Sequence, residues 1–193
     1  MNDDVRDGDE VAPPIIVTLA MDAFATGTFA RLRAAHFPPA LNRVPPHLTL
    51  FHHLPGEAAA EVVAVAREAM AREAFDVTVE PPRSIGRGVA FPCTSEALRG
   101  VRGAIAGAFD GRLTRQDAQG WRPHVTVQNK VSPEEARRTL AELERSYEPW
   151  RFEALGLLVW DYLDGPWCLR AVVPFDGIAE RDVPLAAMPG EGA

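Results

Sequence analysis

A chain of 193 residues is long enough for one compact domain, or for two small lobes that share a core. Apolar residues at 47% and charged residues at 24% are ordinary globular values, and no apolar run approaches the length that a membrane span requires. The net charge of −7 argues against a protein that coats long nucleic acid, because that affinity comes mostly from Lys and Arg neutralising phosphates, but it leaves room for one phosphate in a locally basic cleft.

In chain order, residues 1–14 are rich in Asp, Glu and Gly, lack the apolar stretch of a secretory signal, and are expected to be a disordered acidic tail. Residues 15–20 form an apolar run that predicts a strand, and 22–36 show mixed helical spacing. Residues 43–46 are a loop closed by a proline pair, followed by a strand over 47–54 and an Ala-, Val- and Glu-rich helix over 57–73. A strand over 75–80, a Gly86-Arg87-Gly88 turn and a second strand to Cys93 predict a hairpin. A helix over 95–109 with Ser95 as N-cap and a polar loop over 110–122 come next. A strand over 124–131 precedes a helix opened by Ser132 and Pro133 that runs to about Tyr147. Two strands, 152–162 and 167–174, end the domain, joined across Asp164-Gly165-Pro166. Residues 181–193 are expected to be a flexible tail, which leaves 15–180 as a single domain.

An internal duplication organises these elements. Sliding the chain by 77 residues places Pro46 on Pro123, His47 on His124, Thr49 on Thr126, Leu50 on Val127, Glu57 on Glu134, Phe75 on Phe152 and Gly88 on Gly165. The pattern predicts an α+β fold of two similar strand-helix-hairpin lobes, packed about a pseudo-twofold axis with both His strands facing one cleft. Side chains alternate along a strand, so His47 and Thr49 share a face, as do His124 and Thr126, while Leu48, Leu50, Val125 and Val127 turn to the core. Two imidazoles to move protons and two hydroxyls to bind phosphoryl oxygens suit a phosphodiester without a metal. One His-x-Thr is a weak signal; two in repeat register, with the same preceding Pro and aliphatic flanks, are a strong one.

At these residues the chain resembles the 2H phosphoesterase superfamily, most closely the bacterial proteins known as 2′-5′ RNA ligase-like or RNA 2′,3′-cyclic phosphodiesterases. The resemblance spans roughly residues 15–175, with PHLTLFHHL (46–54) as the first motif and RPHVTVQNK (122–130) as the second. It implies a bilobal α+β phosphoesterase fold, two lobes of antiparallel sheet with outer helices around a central cleft. It further implies that His47 protonates the leaving 2′ oxygen, that His124 activates water and that Thr49 and Thr126 bind phosphate. The substrate is then a 2′,3′-cyclic phosphate on an RNA end or a small nucleotide, with reverse 2′-5′ ligation as a related activity. The second motif ends in Gln128-Asn129-Lys130 and not in the short aliphatic-Arg ending common in the family.

Further candidates surround the motifs. Gln128 and Lys130, the only lysine, are expected on the face of His124 to contact phosphate or sugar, and Arg43 and Arg122 stand before the two motifs, where either can hold a phosphate. His53 lies too far along its strand from His47, and His52 is expected to point away, so a zinc site from this trio is not predicted. Cys93 and Cys168 lack CxxC spacing, so no metal or redox centre is expected and a reducing cytoplasm fits. A monomer without cofactor, membrane anchor or obligate protein partner is expected. Two competing readings keep the same cleft: a module that holds a nucleotide without turnover, and a phosphoesterase for a small cyclic-phosphate metabolite.

Overall fold

The computed structural model describes residues 12–185. Of the tails expected over 1–14 and 181–193, residues 1–11 and 186–193 lie outside the described residues. Inside that span the chain packs past both expected domain boundaries: the Tyr162 N–H donates to the Pro14 carbonyl at 2.9 Å, and Val183 is buried.

The elements are β1 Ile15–Met21, α1 Ala23–His36, β2 Leu48–Leu54, α2 Ala59–Ala69, β3 Phe75–Val79, β4 Arg83–Ser84, β5 Val89–Thr94, α3 Glu96–Ala108, α4 Arg115–Ala118, β6 His124–Gln128, α5 Pro133–Ser146, β7 Trp150–Tyr162 and β8 Trp167–Pro174. Ser95 and Ser132 cap α3 and α5 through their hydroxyls, accepting from Leu98 N and Glu135 N. Asp22 does the same for α1, accepting from Ala25 N at 2.7 Å. The helix expected over 57–73 is shorter at both ends: Gly56–Ala58 form a 3-10 turn before it, and it closes at Ala69, with the Met70 N–H as its cap on the Ala66 carbonyl.

The strands run β1-β2-β6-β5-β3-β7-β8, and an additional β1–β7 pairing closes the first six into a ring. Exchanging β1 with β5, β2 with β6 and β3 with β7 maps that ring onto itself, which is the pseudo-twofold of the sequence repeat. The repeats nevertheless do not form separate sheets. Strand β2 of the first repeat connects through β1 to β7 of the second, whereas β6 of the second connects through β5 to β3 of the first. Neither repeat can therefore complete its sheet without the other.

β1 is buried along its whole length. Ile15, Val17 and Leu19 enter the main core, while Ile16 and Ala20 enter a smaller cluster with Leu158, Trp160 and Val172. On the two His strands, Leu48, Leu50, Val125 and Val127 are fully buried. Burial of each such side chain contributes about 1.5–3 kcal/mol, enough to hold both strands with their polar residues facing outward.

Gly88 closes the hairpin between β4 and β5 against the end of β6. A Cβ there would lie 2.0 Å from the Gln128 carbonyl oxygen, a backbone atom that cannot swing aside. Gly88→Ala is expected to cost about 3 kcal/mol, read as a lowered denaturant midpoint. An unchanged midpoint would mean that the hairpin is not clamped on β6.

Candidate active site

β2 and β6 are antiparallel and meet at one residue pair, Leu48 opposite Val125. Continuing that register by one residue sets His47 opposite Thr126 and Thr49 opposite His124. Because Leu48 and Val125 point into the core, all four polar residues emerge on the other face, beside the twofold axis. They line one cleft of about 390 Å³.

The two histidines are held alike. His47 Nδ1 lies 2.7 Å from the Pro45 carbonyl oxygen and His124 Nδ1 lies 2.8 Å from that of Arg122, two residues back in each case. A carbonyl only accepts, so Nδ1 carries the hydrogen in both rings and Nε2 is left free for chemistry in the cleft. The threonine strands are anchored alike too. Trp121 Nε1 donates to the Thr49 carbonyl at 2.9 Å, and Arg33 Nη1 to that of Thr126 at 3.0 Å.

Their surroundings differ. His124 is exposed, whereas His47 is half-buried under the Trp167 ring, with centroids 4.7 Å apart. Trp167 leans on Trp160, whose Nε1 donates to Thr18 Oγ1 at 2.9 Å, so the ring over His47 is braced from the core. Burial pushes the His47 imidazole down to about 4; the Pro45 carbonyl pulls the other way, and the nearby positive charge of Arg33 adds to the depression. In the unliganded cleft His47 is therefore neutral near pH 7.

The expected site residues divide. His47, Thr49, His124, Thr126 and Arg122 line the cleft. Gln128 does not: it is buried beneath α5, its Nε2 donating to Thr139 Oγ1 at 2.9 Å. Lys130 lies past the end of β6, in a turn with φ of 61°, and is exposed. The strand expected over 124–131 stops at Gln128, and Lys130 leaves the face of His124. Arg43 is also outside the cleft, its Nε donating to the Ala40 carbonyl at 3.1 Å.

The polar segment 110–122 supplies a wall that was not foreseen. Its short helix α4 carries Asp117, buried at 2% exposure, which accepts from the backbone N–H groups of His52 and His53 at 2.9 and 2.8 Å and from His52 Nδ1 at 3.2 Å. Burial alone would raise the Asp117 carboxyl, but the hydrogen bonds from His52 and His53 outweigh it and leave it lowered. His52 thus reaches the cleft, contrary to expectation, because register shifts between β1 and β2 break the alternation and bury Leu50 and Phe51 in succession. Arg102 of α3 also lines the cleft, stacked over Phe51 and Trp121 with its Nε donating to the Leu50 carbonyl. Among the described residues no three His, Cys, Asp or Glu side chains converge to hold a metal ion, and no helix is long and apolar enough to cross a membrane.

Residues 21–166 match the family model of the 2′-5′ RNA ligase superfamily. The chain belongs to this superfamily, within the 2H phosphoesterases. Solved structures agree on the fold. E. coli LigT in complex with 3′-AMP aligns at TM-score 0.56 and 14% identity over 85% of this chain and 98% of its own. TT0787 of Thermus thermophilus aligns at 0.57 and 15%, and a protein described as a phosphoesterase at 0.57 and 13%, each over the same shares. No curated protein matches in sequence. Membership in this superfamily implies a phosphodiesterase or ligase-like activity.

Proposed function

We propose that this protein is a metal-independent phosphodiesterase that opens a 2′,3′-cyclic phosphate on an RNA end or a small nucleotide. The observation that carries the reading is the pair of imidazoles with Nδ1 held by backbone and Nε2 free, set with two threonine hydroxyls around one cleft. Thr49 and Thr126 donate to the non-bridging phosphoryl oxygens. His124 Nε2 takes a proton from water as its oxygen attacks phosphorus; the ring P–O bond breaks, and the leaving ribose oxygen takes a proton from His47 Nε2. With a 5′-hydroxyl in place of water and the 3′ ribose oxygen as the leaving group, the same ring opening gives 2′-5′ ligation.

His47 must be charged to act as the acid, and the substrate itself supplies the bias. A phosphodiester anion beside the ring favours the protonated form, so binding an anion raises the His47 pKa from its free value of about 4. The sign follows: between the free and the bound pKa, phosphate binding takes up a proton, and affinity rises as pH falls from 7 towards 5. Histidine-detected NMR titration with and without inorganic phosphate measures this. A His47 pKa unmoved by phosphate would take the ring out of the anion site.

Turnover of a 2′,3′-cyclic nucleotide, a 2′-5′ dinucleotide and small cyclic phosphate metabolites, assayed side by side, tests the substrate. The cyclic nucleotide is expected to react fastest. Hydrolysis of the cyclic metabolite alone would move the assignment to a small-molecule phosphoesterase, and tight binding of an intact nucleotide without turnover would make the protein a binding module.

A further inference from the structure

A second concavity of about 500 Å³ adjoins the catalytic cleft and shares Trp121, Arg122 and His124 with it. Its floor comes from β5, at Ala90 and Pro92, and its rims carry Arg83 on β4 and Arg99 on α3. Some surface arginines of this acidic protein sit on carboxylates: Arg112 on Glu61, Arg138 on Glu134, Arg151 on Asp76 and Arg170 on Asp161. Among the described residues, Arg83, Arg99 and Arg122 take part in none of the ion pairs, and all three are exposed. The one acidic side chain in the groove, Glu80, accepts a hydrogen bond from Thr94 Oγ1 at 2.7 Å. Ile85, 41% exposed at the hairpin tip, adds an apolar surface beside the arginines.

We propose that this groove binds the ribose-phosphate backbone of an oligonucleotide whose terminal phosphate occupies the catalytic cleft, so that the preferred substrate is an RNA end and not a mononucleotide. The three guanidiniums, of which Arg122 also lines the catalytic cleft, supply donors for the phosphates of a single strand. Ile85 and Trp121 offer faces to its bases. A mononucleotide fills only the catalytic cleft and leaves Arg83 and Arg99 idle. The inference rests on the cyclic-phosphate reading for turnover, but the groove can be tested by binding alone.

The test compares the wild-type protein with Arg83→Ala/Arg99→Ala, neither residue being part of the catalytic cleft, on a cyclic mononucleotide and on a five-nucleotide RNA ending in a 2′,3′-cyclic phosphate. The wild type is expected to prefer the oligonucleotide in kcat/KM. The variant is expected to lose about tenfold on the oligonucleotide and nothing on the mononucleotide, through KM. In parallel, fluorescence anisotropy of the same RNA ending in a 3′-phosphate is expected to show a log-log salt dependence shallower by about 1.4 in the variant, one single-strand phosphate contact for each arginine removed. Equal kcat/KM for the two substrates in the wild type, or an unchanged salt slope in the variant, would overturn the groove. Oligonucleotide binding that depends on both arginines, with no turnover of either substrate, would keep the groove and sink only the cyclic-phosphate reading.

Discussion

Replacing either His47 or His124 by alanine is expected to lower kcat/KM on a 2′,3′-cyclic nucleotide by about 10²–10⁴-fold, the usual size of one general acid or base contribution. The double variant should fall little below the worse single one, because groups that act as a unit do not contribute additively. His124 is exposed, so its removal should leave stability within about 0.5 kcal/mol, and the loss is then one of chemistry. The roles separate with a leaving group that needs no proton. On a p-nitrophenyl phosphodiester, His47→Ala should recover most of the lost rate and His124→Ala should not. Recovery in the His124 variant instead would exchange the acid and the base.

Arg33→Leu is expected to be the most destabilising single change near the site, by about 3–5 kcal/mol, with activity falling alongside. This arginine is 3% exposed in α1 and has no carboxylate partner among the described ion pairs. Its guanidinium donates to the Thr126 carbonyl at 3.0 Å, to the Val44 carbonyl at 3.2 Å and to Asn42 Oδ1 at 3.0 Å, and it stacks on Phe37. One side chain therefore ties the loop that delivers His47 to the strand that carries Thr126. Leucine leaves three part-buried acceptors without their donor, whereas Arg33→Lys, with a point charge in place of the planar fork, should fall between. Denaturant midpoints measure the series; a Leu variant as stable as the wild type would show that water or a shifted loop satisfies those acceptors.

The cleft's two histidines and two threonines were legible because strand periodicity and the repeat fix their geometry without tertiary information: a His-x-Thr places both side chains on one face wherever the strand lies. The strand exchange between repeats was not, since the repeat shows that β2 and β6 correspond and says nothing of which neighbours each hydrogen-bonds. Gln128 shared the parity of His124, yet at the strand end α5 covers it. The left-handed turn at Lys130 cuts the strand short, a conformation that Asn129-Lys130 does not announce. His52 was misplaced because irregular pairing with β1 shifts the parity of β2 between Thr49 and Leu54. Its only trace in the sequence is the consecutive Leu50-Phe51. Arg33, Arg102 and Asp117 read as ordinary polar residues of helices and a loop, and their importance comes from burial that long-range packing creates.

The most direct test of the two-histidine account is kcat/KM for a 2′,3′-cyclic nucleotide from pH 4 to 9 in EDTA. The account predicts a bell-shaped profile, unchanged by the chelator, that collapses in both His47→Ala and His124→Ala. Activity that disappears in EDTA and returns with a divalent cation, or that survives in both alanine variants, would contradict it.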